Sequence, residues 1–167
     1  MARSGRPLKV PSELAFIDNY IDENDLDGIE WLINSHGVDC YDSYKRTFLI
    51  LAASKGNISI IKHLIELGSN LNFQDKNGYT SLHFACQNSH PEVVDILIDS
   101  GCDINLRDVY GNPPIWTAIM NAKEDFSIVS TLLKHNADII TKNNHGKSPQ
   151  NMWEIKFDSD INSLLNK

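Results

Sequence analysis

The feature that most constrains this chain is an internal repeat with a period of 33 residues. A shift by that period superimposes residues of the same small, apolar or turn-forming character, pairing Thr47 with Thr80, Leu49 with Leu82, Ala52 with Ala85, Leu64 with Leu97, Gly68 with Gly101 and Asn72 with Asn105. A fixed period of this length is typical of stacked arrays, in which each unit packs only against its neighbours. We therefore expect one elongated domain built from similar units.

Further copies set the predicted organisation of the chain. A copy begins at Asp108, and two extra residues around positions 122–126 predict a longer turn between its helices. A degenerate copy precedes the array and a truncated copy follows it, as expected for terminal units with one face in water. The predicted division is a tail (1–11) and a single domain (12–167) made of an N-terminal capping repeat (12–41), three repeats (42–74, 75–107, 108–142) and a C-terminal capping repeat (143–167).

One unit, residues 75–107, shows what each copy should form. Gly78 suits a turn that needs positive φ, and Thr80 stands where a helix cap belongs. Pro91 suits the first position of a second helix, and Gly101 is placed to end it. That second helix is apolar on more than one side, so it needs cover from both neighbours. The predicted class is all-α, with stacked pairs of short helices joined by an extended loop.

These residues resemble a known family. The ankyrin-repeat pattern D-x-x-G-x-T-P-L-H-x-A followed by G-A-D-x-N is similar to DKNGYTSLHFA and GCDIN in this chain. The resemblance implies an all-α ankyrin-repeat solenoid of helix-turn-helix units with short β-hairpin-like loops. Departures are expected to weaken single positions only; they are Phe48 and Ser81 for proline, Ile50 and Trp116 for histidine, Lys45 for the first glycine, Pro113 for threonine and Asn136 for the second glycine.

Patterns that would indicate catalysis or a cofactor are weak. The resemblance implies that Thr80 and His83 hydrogen-bond within the junction of loop and helix, which makes His83 structural. The six histidines include no H-E-x-x-H pair, and the Gly-Lys-Ser at 146–148 has Thr141 where a phosphate loop requires its first glycine. We expect no enzyme, no cofactor and no metal.

Charge and cysteine content narrow the partner classes. The chain carries 15 Lys and Arg against 22 Asp and Glu, a formal charge of −7, which should repel nucleic acid. Nine acidic residues and no Lys or Arg lie between Lys9 and Lys45, either as a solvated face or as a docking patch for a basic protein. No apolar run reaches membrane-spanning length, and the start lacks the apolar part of a secretory signal. Since the start lacks a secretory signal, we expect a cytoplasmic protein. The three cysteines are an odd number and are expected to be free buried thiols. We also expect the protein to be monomeric without its partner.

The resemblance implies a binding surface formed by the loop tips and the exposed side of each first helix. The tip residues in this sequence are Ser43, Tyr44, Arg46, Lys76, Asn77, Tyr79, Val109, Tyr110, Asn112, Asn144, His145 and Lys147; the helix residues are Ser54, Lys55, Gln87, Asn88, Met120 and Asn121, with Trp116 beside them. Tyrosine is a frequent interface anchor, so Tyr44, Tyr79 and Tyr110 are interpreted as contacts for a partner. The alternative is that these rings only cover neighbouring loops.

Function is predicted at the level of class. The leading hypothesis is a protein-binding module without catalytic activity. One version is an inhibitor, such as an immunity protein of a basic toxin or nuclease, because the front of the chain is acidic. The alternatives are a regulatory adaptor that links several partners and an enzyme with a substrate pocket between repeats.

Overall fold

The computed structural model describes residues 11–166, so the predicted N-terminal tail lies almost wholly outside the described residues. A 3-10 helix, Ser12–Phe16, opens the described chain and another, Ile161–Asn166, closes it. Between them lie α1 Ile17–Asp22, α2 Leu26–His36, α3 Phe48–Lys55, α4 Ile58–Glu66, α5 Ser81–Gln87, α6 Pro91–Asp99, α7 Pro114–Asn121, α8 Ser127–Lys134 and α9 Pro149–Phe157. The only β pairing within residues 11–166 is an isolated bridge between Tyr41 and Thr47. The predicted all-α class is confirmed.

The helices form two layers. Helices α1, α3, α5, α7 and α9 contact one another in succession, and α4, α6 and α8 do the same alongside them, with the C-terminal 3-10 helix against α8. Buried Ile, Leu, Val and Ala side chains of both layers join in one continuous core that runs the length of the stack. Each helix pair alone is too small to offset its ordering entropy, so the core between neighbours stabilises the fold.

Helix starts follow the residues that the period singled out. The Thr80 side-chain oxygen accepts from the backbone N–H of His83 at 3.4 Å, and His83 Nδ1 accepts from the backbone N–H of Thr80 at 3.1 Å. Thr47 begins α3 in the same way, accepting from the backbone N–H of Ile50 at 3.3 Å. Pro91 is the first residue of α6, as predicted. The role in the loop-helix junction expected of Thr80 and His83 is therefore observed.

Two departures from the repeat pattern occupy strained backbone positions. Lys45 has φ of 61° and Asn136 has φ of 62°, in the left-handed region where Gly78 and Gly101 stand in the best-formed unit. Residues with a Cβ atom rarely adopt this conformation, because the side chain crowds the backbone. The surrounding repeat geometry thus imposes the turn even where glycine is missing.

The connection between α7 and α8 is two residues longer than the connection between α5 and α6, covering 122–126 against 88–90. Its last residue, Phe126, packs edge-on against Trp153 and Phe157 of α9, with ring centres 5.1 and 5.0 Å apart. The longer turn therefore covers the aromatic residues that close the C-terminal end of the core.

Candidate functional site

The four loop tips, residues 42–47, 75–80, 108–113 and 143–148, share one hydrogen-bond pattern. In the second tip, Asp75 Oδ1 accepts from the backbone N–H groups of Asn77 and Tyr79, both at 2.8 Å. Asp42, Asp108 and Asn143 begin the other tips and accept from the residues two and four places further on. The first side chain of each tip is therefore used to fix the turn, and the following side chains project from a defined backbone.

Neighbouring tips are joined by backbone hydrogen bonds. The N–H groups of Lys76, Val109 and Asn144 donate to the carbonyl oxygens of Tyr44, Asn77 and Tyr110 at 3.1, 3.0 and 2.9 Å, respectively. The tips lie so close together that a Cβ atom on Gly78 would approach Asp108 Cα to 2.9 Å. The tips thus form one continuous edge whose side chains keep their spacing.

We use the name tip face for residues 43–55, 76–88, 109–121 and 144–147, which are three tips without their first residue, each with its first helix, and the middle four residues of the fourth tip. Its exposed apolar side chains are Tyr44, Val109, Tyr110 and Met120, with Tyr44 62% and Tyr110 57% exposed. Between the second and third tips runs an open groove of about 290 Å³, with Tyr79, Gln87, Tyr110, Trp116 and Met120 among its lining residues. A groove of mixed polar and apolar lining, flanked by exposed tyrosine, is typical of a protein contact surface.

Most of the side chains predicted to contact a partner lie on the surface of the tip face. Exposed are Tyr44, Lys76, Asn77, Gln87, Asn88, Val109, Tyr110, Met120, Asn121 and His145, and half-buried are Arg46, Tyr79 and Trp116. Asn88 and Asn121 also donate to carbonyl oxygens of Ser54 and Thr117 at 2.8 and 2.9 Å, so part of their hydrogen-bonding capacity is used within the fold.

Asn112 requires a correction, because its side chain was expected on a tip and is buried, with 9% exposed. Its Nδ2 group donates to Asp108 Oδ2 at 3.3 Å, and its Oδ1 atom accepts from Asn143 Nδ2 at 2.7 Å. The side chain therefore joins two successive tips within the fold, and it does not stand free for a partner.

Tyr79 also differs from the other two tip tyrosines. Its ring stacks on His83 with centres 4.9 Å apart and meets Phe84 edge-on at 5.5 Å, and burial raises the pKa of its hydroxyl. Tyr44 instead lies in the open beneath the Arg46 guanidinium, 5.0 Å from Cζ to the ring centre. The Tyr79 ring therefore covers neighbouring residues of the fold, as the alternative interpretation held. The rings of Tyr44 and Tyr110 are exposed to solvent, as a contact for a partner requires.

The buried histidine of the tip face, His83 of α5, is engaged within the fold. His83 has 0% exposure, and burial lowers its pKa. Its Nε2 atom contacts the backbone oxygen of Asn112 at 3.2 Å, while Nδ1 faces Thr80, so both ring nitrogens have partners inside the protein. Among residues 11–166, no group of three or more His, Cys, Asp or Glu side chains is placed to hold a metal ion. His83 therefore has a structural role at the junction of loop and helix.

The charge of the tip face was not predicted from the sequence, because charge was compared between segments of the chain and not between positions of the repeat. The tip face contains five Lys and Arg residues and no Asp or Glu, although the chain as a whole is acidic. Counting charge by position in the repeat, instead of by position in the chain, would have found this signal.

A family model for ankyrin repeats (3 copies) matches residues 19–108 and 71–143, which is most of the chain. The chain belongs to the ankyrin-repeat family. An ankyrin repeat-containing protein of Schizosaccharomyces pombe is 35% identical over 97 residues, covering 58% of this chain and 44% of that protein. Protein phosphatase 1 regulatory subunit 27 of Mus musculus is 27% identical over 111 residues, covering 65% of this chain and 71% of the subunit.

The ankyrin-repeat family supports the coarser functional prediction, a protein–protein interaction module. This chain spans less than half the length of the yeast relative. None of the helices in residues 11–166 combines the length and apolar character needed to cross a membrane. The partner and the mode of action are therefore matters for proposal.

Proposed function

We propose that this protein is a binding module without catalytic activity that captures a partner protein across the tip face. The observation that carries the proposal is the exposed Tyr44, Val109 and Tyr110 side chains on an edge whose tips are bonded to one another, with exposed Met120 on the adjoining helix α7. A surface whose backbone is already ordered loses little conformational entropy on binding, so its apolar contacts contribute more of their free energy to affinity. Tyrosine at the centre of such a surface is a frequent source of binding energy.

The proposed mode of action is regulatory, with an adaptor that links several partners as the alternative. A regulatory subunit among the relatives, aligned over 71% of its own length, supports regulation through binding.

We further propose that the protein acts in the cytoplasm and is monomeric without its partner. Free buried thiols at Cys40, Cys86 and Cys102 support a reducing compartment. Light scattering of the purified protein tests the monomer, and fractionation of host cells tests the location.

A second candidate is an inhibitor, such as an immunity protein, of a basic toxin or nuclease. It is supported by the exposed acidic side chains of the first helix pair, α1 and α2 with the turn between them, including Glu23, Asp27 and Glu30. A basic partner would approach these helices faster than a neutral one, and its affinity would fall with added salt. Glu23, Asp27 and Glu30 lie outside the tip face, so the two candidates can be separated by substitution.

The experiment is affinity capture from native host extract with the full chain, quantified by mass spectrometry. The variant Val109→Ser/Tyr110→Ser removes two exposed apolar side chains from the tip face, and Trp31→Ser/Ile140→Ser removes two exposed apolar side chains outside it. The proposal expects specific proteins that the wild type and the Trp31/Ile140 variant retain and the tip-face variant loses. Equal retention by all three proteins contradicts it.

A third variant, Glu23→Lys/Asp27→Lys, tests the inhibitor. Loss of one basic, salt-sensitive partner with this variant alone supports the second candidate. Loss of different partners with the tip-face variant and with the acidic-helix variant supports the adaptor. Circular dichroism must show native helix content for every variant that is compared.

A further inference from the structure

The tip face has a charge opposite to that of the whole protein. Its basic residues are Lys45, Arg46, Lys55, Lys76 and Lys147, while all 22 Asp and Glu residues of the chain lie outside it. The chain carries a formal charge of −7, and Asp42, Asp75 and Asp108 begin the first three tips directly beside the tip face. With these three Asp residues included, five cations stand against three carboxylates, so the tips and first helices carry a small positive charge on an acidic protein.

Four carboxylates beside the tips already accept hydrogen bonds within the fold. Asp42, Asp75 and Asp108, which begin three of the tips, are buried and accept from backbone N–H groups of their own turns. Asp108 lines the groove, and its second oxygen accepts from Asn112 Nδ2. Glu154 of α9, the nearest acidic residue after the fourth tip, accepts from Gln150 at 3.0 Å.

Two of the five cations already form ion pairs within the protein. Arg46 Nη2 pairs with Asp42 Oδ2 at 2.6 Å, and Lys55 pairs with Asp22. Lys45, Lys76 and Lys147 are exposed, and no carboxylate of residues 11–166 lies within ion-pair distance of them. These three lysines belong to the first, second and fourth tips, on either side of the apolar third tip with Val109 and Tyr110.

We propose that the segment captured by the tip face is an acidic segment of a partner protein, with an apolar side chain in the groove and carboxylates facing Lys45, Lys76 and Lys147. This inference rests on the proposed function, since it names the chemistry of the partner at the same surface. Complementary charge around an apolar centre increases the association rate and excludes partners of the wrong sign. A basic partner would meet three unpaired lysines here, so the tip face disfavours such a partner.

A protein segment fits this surface better than a nucleic acid does. A polyanion would meet three lysines without ion pairs and, around them, the field of a chain with a formal charge of −7. A short acidic peptide brings its charges only to the lysines and also places an apolar side chain against Tyr110, Trp116 and Met120 in the groove.

The probe is a display library of random dodecapeptides selected on the immobilised full chain, followed by affinity measurement of the enriched peptides. The enriched set is expected to carry more Asp and Glu than the starting library. The variant Lys45→Glu/Lys76→Glu/Lys147→Glu should lower their affinity by roughly tenfold or more, since several exposed ion pairs change sign. The matched control, Lys62→Glu/Lys134→Glu/Lys142→Glu, makes the same change in net charge on exposed lysines outside the tip face and should leave affinity within about twofold.

The outcomes separate this inference from the proposed function. The first outcome is a set of peptides whose binding is lost in Tyr110→Ser but which are neutral or basic, or whose affinity does not change in the tip-face charge reversal. This result would overturn the acidic partner and would leave the binding surface in place. Peptides that bind equally well to Val109→Ser/Tyr110→Ser overturn the surface itself, and a selection that enriches nothing overturns both. Binding of a 20-nucleotide oligothymidylate at physiological salt that is lost in the charge reversal would assign the lysines to nucleic acid and overturn the inference.

Discussion

His83 donates from Nε2 to the backbone oxygen of Asn112, 3.2 Å away in the next repeat. The direction of this bond follows from the other ring nitrogen, because Nδ1 accepts from the backbone N–H of Thr80 and cannot carry a proton of its own. The imidazole is therefore neutral, and it connects the cap of its own helix to the following tip. In this position a histidine contributes to the stacking of the repeats.

Acid should destabilise the protein through His83. Burial lowers its pKa, while the hydrogen bond to the Asn112 backbone oxygen and the carboxylates of Asp108 and Asp75 oppose that shift more weakly, so the unfolded chain takes up the proton more readily. The stabilisation is fully present above the ordinary histidine pKa near 6.5 and is lost as the pH falls below it. Between pH 7.5 and 5.5 the wild type should lose about 1 kcal/mol more unfolding free energy than His83→Gln, a difference that urea titrations can measure. Equal pH dependence in both proteins would contradict this linkage.

Tyr79→Ala and Tyr110→Ala should have different effects on stability. The Tyr79 ring is packed against His83 and Phe84, so its removal should cost about 1–3 kcal/mol of unfolding free energy. The exposed Tyr110 ring contacts His145 with centres 6.3 Å apart, and its removal should cost less than about 0.5 kcal/mol. Denaturant titration of both variants measures the difference, and a larger loss in Tyr110→Ala would reverse the assignment of the two rings.

The register of the tips explains why the sequence predicted the fold better than the site. Periodic positions such as Thr80 and Leu97 are determined by the repeat itself, so their structural roles follow from the pattern. Tyr44 and Tyr110 are the second residue after the first Asp of their tips, whereas Tyr79 is the fourth, the position occupied by the buried Asn112 in the next tip. Treating every tip side chain as exposed overlooked this difference. Exposure within a tip depends on contacts between repeats, which propensity and spacing do not describe.

Leu97→Ala should be strongly destabilising, because Leu97 has 0% exposure in the continuous core. Truncation of a buried leucine removes its apolar contacts and leaves a cavity, which costs about 2–5 kcal/mol. Leu67→Ala is the control, since Leu67 is well exposed and its truncation should cost less than about 1 kcal/mol. Calorimetry or denaturant titration of the pair tests the prediction. A cost below about half a kcal/mol for Leu97 would mean that it does not pack between units.

The three thiols should be inert in the native protein. Burial raises the pKa of Cys40 to about 11 and of Cys102 to about 12, and it raises the pKa of Cys86 as well. Since the thiolate is the reactive form, a disulfide reagent at pH 8 should modify the native protein at least about a hundredfold more slowly than the urea-unfolded protein. Absorbance of the released thiolate measures both rates. Fast modification of one native thiol would show that its site opens without global unfolding.

Lys156 closes the end of α7 in a way that the repeat pattern does not indicate. Its Nζ atom donates to the backbone oxygens of Ile119, Met120 and Ala122 at 2.8, 2.7 and 2.6 Å. The last carbonyl groups of a helix need partners outside it, and a cation there also interacts favourably with the helix dipole. Partial burial lowers the pKa of Lys156, so desolvation offsets part of the gain. The contact joins Lys156 to residues far away in the sequence, at the point where the longer α7–α8 turn begins. The spacing of residues within one repeat therefore could not predict it.

Replacement of Lys156 by methionine should therefore reduce the unfolding free energy by about 1 kcal/mol, because three carbonyl oxygens lose a charged donor that is itself exposed to solvent. Lys156→Arg should retain most of the stability, and Lys62→Met controls for the loss of an exposed lysine elsewhere. Fluorescence of the buried Trp153, which lies on the same helix as Lys156, should report the C-terminal end opening at lower urea than the helix signal from circular dichroism in the methionine variant. Coincident transitions at the wild-type midpoint would show that these carbonyl contacts do not hold the last repeat in place.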